Sequence, residues 1–273
     1  MQHNLKNSDN DNMKKNIALC FFGQPRSLEK GYAVINKFIM DACCDYNVHV
    51  YVHTWWDKSL VGQHYSASPW RRISDEETLI TEHVIQKIID LYNPIQIEYE
   101  SPKDFKDEIE EIKELDMFKN SPDSIKNNIT NTMSNLYSKY KTSLLLQNSK
   151  IDYDCIISLR FDNLWSINLN LNLSDLLPNK VYTANIGGPR LYLPDHFNIF
   201  TNNELFMQYS STFCNIKQIN ESTQCMDVAS NCSIEFKCNI EELLIINFGL
   251  YYSVEEVRNI IIQIPSLYSA YFL

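Results

Sequence analysis

The residues best placed to do chemistry in this chain are Arg160 and Asp162, an opposite-charge pair two positions apart that closes the segment Tyr153-Asp154-Cys155-Ile156-Ile157-Ser158-Leu159-Arg160-Phe161-Asp162. In an extended chain residues two apart share a face, so both side chains can address one ligand. A carboxylate there can hold Mg2+ or Mn2+ together with phosphate oxygens, and a guanidinium offers phosphate a fork of donors. The pair suits a nucleotide diphosphate; taken alone, it also fits an ordinary ion pair following a strand. A second polar group is Gly23-Gln24-Pro25-Arg26-Ser27. Gly23 permits close backbone approach, Arg26 adds positive charge, and Ser27 can cap a following helix whose N-terminus attracts anions. Thr54-Trp55-Trp56-Asp57 forms a third. Its tryptophans can stack on a sugar or base or serve as buried anchors, and His53 beside them reads first as a satisfied core residue.

Each group follows an apolar run. Residues 17–22 are compactly apolar, Val48, Val50 and Val52 alternate over 48–53, and 153–159 read as a buried strand of a parallel sheet. Ligands of open α/β sheets collect at the carboxyl ends of such strands. Residues 28–40 form an amphipathic helix between the first two strands, and 58–73 a long surface loop. Ser74 with Glu77 is a capping-box pattern that opens a helix running to about residue 91, before Pro94. A third strand is expected at 95–99 and an acidic helix from Ser101-Pro102 to 115. A longer helix opens at Ser121-Pro122 and carries Ile129, Met133, Leu136, Tyr137, Tyr140 and Leu144 in one stripe. It leads straight into the 153–162 segment. Further expectations are a strand at 180–184, an apolar strand after Asp195, a helix capped by Asn202 or Asn203 and ending at 213, and helices at 240–248 and 254–262. Residues 217–237 have no clear period. The pattern predicts an α/β fold with a mostly parallel, Rossmann-like central sheet flanked by helices.

Length and composition set limits. A chain of 273 residues with 44% apolar content can bury a substantial core, and one domain over 16–273 is expected behind a disordered, polar leader at 1–15. The net charge of −10 argues against nonspecific binding to nucleic acid or to an anionic membrane, so any anionic ligand must be held by local groups. No run of about 18 apolar residues is present. With no transmembrane segment and no secretory signal, a cytoplasmic protein is expected, and its eight cysteines read as free thiols without zinc-ligand spacing.

Several segments, in order, resemble one family. They are 17–26, an apolar strand entering Gly-Gln-Pro-Arg; Val50-Tyr51-Val52-His53-Thr54-Trp55-Trp56-Asp57; 135–146, Asn-Leu-Tyr-Ser-Lys-Tyr-Lys-Thr-Ser-Leu-Leu-Leu; 153–162; and 195–209, an aspartate-led strand followed by Asn-Glu-Leu-Phe-Met-Gln-Tyr. Together they are similar to an uncharacterised group of GT-A-type glycosyltransferases found in bacterial surface-polysaccharide clusters and large-virus genomes. The resemblance covers residues 16–250. It implies a GT-A-like domain with a nucleotide-binding half at 16–165 and an acceptor-side half at 166–273, in the cytoplasm, or in the virion if viral. A nucleotide-sugar donor would be held by Gly23, Gln24, Arg26, Thr54, Asp57, Arg160 and Asp162, and a glycan would be the acceptor. Asp162 stands in the last place of the family's Asp-x-Asp metal motif, implying Mn2+ or Mg2+ as cofactor. Arg160 occupies the first place, a departure that puts the metal in doubt because a guanidinium can itself neutralise a diphosphate. An inverting transfer needs a carboxylate base. Asp195 is the first candidate and Glu241, with Glu242 beside it, the second; turn-capping and helix-dipole roles are their plain alternatives. Two other readings stand: a non-catalytic nucleotide- or glycan-binding module, motivated by Arg160, and a nucleotidyltransferase, disfavoured by the lack of a Gly- and Lys-rich phosphate loop.

Overall fold

The computed structural model describes residues 14–65, 74–119, 123–126, 128–163, 173–184, 193–194, 196–231 and 240–264. In chain order its elements are β1 (Asn16–Gly23), α1 (Leu28–Ile35), β2 (Asn47–Trp55), α2 (Asp75–Thr78), α3 (Val84–Tyr92), β3 (Gln96–Glu100), α4 (Lys106–Lys113), α5 (Asp116–Lys119), α6 (Asp123–Lys126), α7 (Ile129–Ser149), β4 (Cys155–Leu159), β5 (Val181–Ala184), β6 (Phe197–Phe200), α8 (Asn203–Ser210), α9 (Thr212–Glu221), α10 (Thr223–Asn231), α11 (Ile240–Phe248), α12 (Val254–Ile260) and β7 (Ile261–Ile264). The strands form one sheet in the order β3-β2-β1-β4-β6-β5-β7. β6 runs antiparallel to both its neighbours, and the other adjacent pairs are parallel. The fold is α/β, with a mostly parallel mixed sheet flanked by helices, as the apolar pattern predicts.

Alternation along the strands explains the two helical layers. Ile17, Leu19 and Phe21 of β1 join Cys155, Ile157 and Leu159 of β4 in a core covered by Leu28 and Ile35 of α1 and Val84, Ile88 and Tyr92 of α3. Ala18, Cys20 and Ile156 face the opposite layer, where Met133, Leu136 and Leu146 of α7 pack with residues of α8 to α12. The chain moves outward from β1 through β2 to β3, then returns across α7 to place β4 on the other side of β1. The crevice between β1 and β4 is therefore the switch point at which an open α/β sheet offers room for a ligand.

One close approach fixes that edge. A Cβ built on Gly31 of α1 would lie 1.7 Å from the carbonyl oxygen of Phe161, so no larger residue fits between α1 and the chain leaving β4. Phe161 in turn stacks on Phe21, with ring centroids 5.0 Å apart.

Several boundaries differ from the sequence pattern for local reasons. The helix expected from 75 to 91 is two pieces, because Ile80 exchanges backbone hydrogen bonds with Gly62 and Gln63 and Tyr65 bonds Thr78, pulling residues 79–80 into extended backbone. The capping box survives at the start of α2: the Ser74 amide donates to Glu77 Oε2 at 3.0 Å. The acidic helix starts at Lys106, not Ser101, and the helix after Asn202 breaks at Ser211 before continuing to Glu221. Asn202 is the cap, its Oδ1 accepting from the Leu205 amide at 2.8 Å. The final helix stops at Ile260; Ile261–Ile264 becomes β7 alongside β5, where β-branched side chains suit an edge strand. Cys20, Cys43, Cys155 and Cys225 are buried free thiols, and Cys44 and Cys214 are exposed free thiols. Among the described residues, no helix is long and apolar enough to cross a membrane.

The Gly31 contact yields a clear expectation. Gly31→Ala should destabilise the protein by about 3 kcal/mol through overpacking, read as a lower denaturant midpoint with unchanged slope. A change within about 0.5 kcal/mol would mean that α1 can slide away from Phe161 without loss.

Candidate functional site

Asp162 lies at the carboxyl end of β4, and 1% of its side chain is exposed. A carboxylate so buried requires ionic or strong hydrogen-bond partners. Arg160 supplies Nε to Oδ1 at 2.9 Å and Nη2 to Oδ2 at 3.0 Å. Arg26, arriving from the loop after β1, donates Nη2 to the same Oδ2 at 2.8 Å. Both arginines are themselves mostly buried, with 12% and 8% of their side chains exposed. Residues 160–162 have left the strand for a turn, so the carboxylate and Arg160 meet by folding back rather than by projecting side by side. Arg160 is anchored through its amide, which donates to the His196 carbonyl at 3.1 Å. Asn163 reaches the same carbonyl at 2.7 Å.

The loop that delivers Arg26 has two left-handed residues, Gly23 at φ 89° and Ser27 at φ 48°. Ser27 occupies the N-cap position of α1 without a side-chain cap bond, because a capping hydroxyl needs extended backbone there. Its amide instead donates to the Glu77 carbonyl at 3.0 Å. Gln24 is half-buried on this loop, and Thr54 at the end of β2 donates its hydroxyl to the Gly23 carbonyl at 2.8 Å. Asp57 does something more local: it caps the short turn Lys58–Leu60, accepting from the Ser59 amide and hydroxyl at 2.7 Å each. Those bonds, the Ser59 hydroxyl first, hold its carboxyl below the usual aspartate range.

Beneath the loop runs a buried polar chain that the sequence did not single out. The pairing of β1 with β4 ends at Phe21, so the next backbone groups of β1 need other partners. Side chains of α7 provide them: Ser138 Oγ accepts from the Gly23 amide at 2.7 Å, and Thr142 donates to the Phe21 carbonyl at 3.1 Å. Ser138 also meets His53 Nδ1 at 2.8 Å, and His53 Nε2 meets Glu100 Oε1 at 2.9 Å. Burial pushes the His53 pKa down, with Glu100 offsetting only part of that effect, so the imidazole is neutral. With Ser138 donating to Nδ1, His53 donates Nε2–H to the Glu100 carboxylate. Tyr137 and Lys141 complete the outer end around Glu100, and Lys141 also pairs with Glu98. Buried Lys139 bonds Asn135 and sits 3.9 Å from the Phe22 ring centroid. The signal in the sequence was the polar stripe Asn135, Ser138, Lys139, Thr142 and Ser143, at helical spacing between the apolar residues of α7.

The structure thus gathers Gly23, Arg26, Thr54, Arg160 and Asp162 around the β1–β4 switch point, with Asp57 further out along the β2 exit. Asp195 lies outside the described residues. Glu241 lies in the first turn of α11, and its side chain is outside the described part. Trp55 is buried and stacks on Tyr137, and half-buried Trp56 donates to the Thr81 carbonyl; both act as anchors. No protein-family model matches the chain, and no curated protein matches it. What the site can do is therefore read from its donors. A hard divalent cation requires several oxygen ligands. Among the described residues no three His, Cys, Asp or Glu side chains converge, and the carboxylate of Asp162 is engaged by two guanidinium groups. A carboxylate so engaged is a poor ligand for Mn2+ or Mg2+ in this arrangement.

Two measurements probe these contacts. Asp162→Asn leaves two buried guanidinium groups without their shared carboxylate and should cost about 3–5 kcal/mol of stability by chemical denaturation. A near-neutral effect would show that the ion pair does not hold the β1 and β4 ends together. For His53, a folded pKa below the ordinary 6.5 means that the unfolded chain takes up the proton first. The stability it contributes is complete above pH 6.5 and declines as the pH falls toward the lower folded value. His53→Gln should flatten the acid side of the stability profile, and an unchanged slope between wild type and variant would contradict the neutral-imidazole assignment.

Proposed function

We propose that this protein is a glycosyltransferase of GT-A type that moves a sugar from a nucleotide-sugar donor to a hydroxyl of a glycan or similar acceptor. The observation that carries this reading is the meeting of Arg26 and Arg160 on Asp162 at the β1–β4 switch point, where doubly wound sheets receive nucleotides. The ordered resemblance to GT-A-type proteins supplies the reaction class, and the mixed sheet is compatible with a nucleotide-binding half followed by an acceptor-side half. In the transfer, the bond from the anomeric carbon to the β-phosphate oxygen breaks and its electron pair leaves on the nucleoside diphosphate. The acceptor oxygen forms the new bond to that carbon and yields its proton to a base, for which Asp195 and then Glu241 are the candidates. Gly23 lets the donor approach the backbone closely, and the Ser138–His53 chain keeps that turn in place.

A second reading, a GT-A-like module that binds a nucleotide or glycan without catalysis, is favoured by one feature: the carboxylate at the metal position is already committed to two arginines.

A panel of UDP-, GDP-, CMP- and dTDP-sugars tests both readings by thermal shift and by release of free nucleotide. At least one donor should raise the unfolding midpoint and be hydrolysed or transferred slowly. Binding without release of nucleotide over long incubation with acceptor glycans would favour the non-catalytic module, and no shift with any member would reject the glycosyltransferase and the nucleotide-binding module alike.

A further inference from the structure

We infer that Asn198 and Thr183 form a binding site for one neutral hydroxyl group that is not part of the chain, on the face of the sheet opposite α1 and α3. The inference stands apart from the glycosyltransferase reading. Strand register builds the site: Ser158 of β4 is the cross-strand partner of Asn198 of β6, and Asn198 is the partner of Thr183 of β5. Side chains directly opposite one another in adjacent strands share a face. The same face bears Ile156, Phe200 and Val181 and packs against Leu205, Phe206 and Tyr209 of α8. A polar row thus crosses an apolar face. None of its three residues is more than 1% exposed, and Asn198 and Thr183 are at 0%.

The chemistry of the row is fixed by what Asn198 already holds. One end of its amide lies 2.7 Å from the Pro194 carbonyl oxygen, which only accepts, so that end is Nδ2. Nδ2 is also 3.2 Å from the Tyr209 hydroxyl. The other end, Oδ1, is a buried acceptor with no hydrogen-bond partner in the protein, and the Thr183 hydroxyl on the facing strand has none either. Buried polar atoms left so cost stability, and native structures satisfy nearly all of them. Cross-strand Cβ atoms lie about 5 Å apart, so one small group between the two side chains can serve both. That group must donate to Asn198 Oδ1 while it pairs with a hydroxyl. A carboxylate has no proton to give Oδ1, and an ammonium would bring a charge into an uncharged row. A neutral hydroxyl does both tasks: it donates to Asn198 Oδ1 and accepts from Thr183 Oγ1. Two sources supply that chemistry, an internal water and a hydroxyl of a carbohydrate. The second would enter from the carboxyl ends of β4 and β5, where Ser158 and Thr183 are each the last residue but one.

The decisive measurement is a crystal structure of the full chain at a resolution that shows ordered water, first without sugars and then soaked with glucose, galactose and N-acetylglucosamine. One oxygen within about 2.5–3.0 Å of both Asn198 Oδ1 and Thr183 Oγ1 is expected. Its presence without sugars assigns the site to water; its appearance only after soaking assigns it to carbohydrate. If neither crystal holds such an oxygen, or if the two side chains bond to each other, the inference is overturned. In solution, Thr183→Val keeps the branched shape and loses the hydroxyl. With water in the site, the variant's unfolding equilibrium constant should rise about fivefold, because a net hydrogen bond is lost. With a carbohydrate in the site, that sugar should raise the unfolding midpoint of the wild type and not that of the variant. A variant at least as stable as the wild type, together with a wild-type midpoint that none of the sugars moves, would also overturn the inference, because removing a hydroxyl that has no partner costs nothing. A variant that does not fold leaves the wild-type crystals to decide. Failure here leaves the glycosyltransferase reading untouched, since nucleotide-sugar binding is measured separately.

Discussion

A carboxylate with 1% of its side chain exposed determines how the upper edge of this sheet is organised. Asp162 must be compensated where it lies, and its two partners fix two pieces of chain. Arg160 folds the exit of β4 back on itself. Arg26 reaches across from the exit of β1, a separation of 136 residues in sequence closed to 2.8 Å in space. For that reach to work, the loop after β1 must take left-handed backbone at Gly23 and Ser27, and α1 must lie against Phe161 with no side chain between. Ser27 bears a conformational cost that glycine would not, and the surrounding contacts, among them its bond to the Glu77 carbonyl, hold it there.

The opposite layer answers a different need. Where β4 stops pairing, the end of β1 has backbone groups without a strand partner on that side, and α7 is the element that satisfies them. This explains a helix whose inward face carries Ser138, Lys139, Thr142 and Ser143 as well as Met133, Leu136 and Leu146. It also connects the two sides of the crevice: Ser138 holds the turn at Gly23, His53 orients Ser138, and Glu100 with Lys141 closes the chain at the sheet edge. The turn that would face a ligand is thus braced from below by neutral hydrogen bonds and from the side by an ion pair.

Local pattern made much of this fold legible. Buried strands such as 155–159 are runs of apolar residues, caps such as Asn202 and Ser74 have distinctive side chains, and the charged pair after β4 stands out against its neighbours. The parts that were not legible are those decided by distant chain. Nothing in 75–91 announces that Ile80 will be drawn out by Gly62 and Gln63, and an isoleucine-rich end looks helical until β5 is there to pair with it. The same holds at the site. Arg26 and Asp162 were each visible as candidates, but their direct contact was not, because extended spacing brings together only residues close in sequence. Asp57 was marked by its position after a strand, and the structure gives its carboxylate a nearer task, the capping of the Lys58–Leu60 turn.

The electrostatics of the whole chain make the local arrangement more telling. A net charge of −10 disfavours long-range attraction of an anion to this chain. Any affinity must arise at contact range, from groups whose attraction is strengthened by exclusion from water. At the β1–β4 edge the charged groups that lie at contact range are Arg26 and Arg160, which meet on the carboxylate of Asp162. Removing Asp162 from such a site does not simply free two arginines for the ligand: it removes the partner that keeps like charges side by side and the β1 and β4 exits together. Stability at this edge therefore depends on these three side chains, and on the glycosyltransferase reading the same three would face the donor's phosphates.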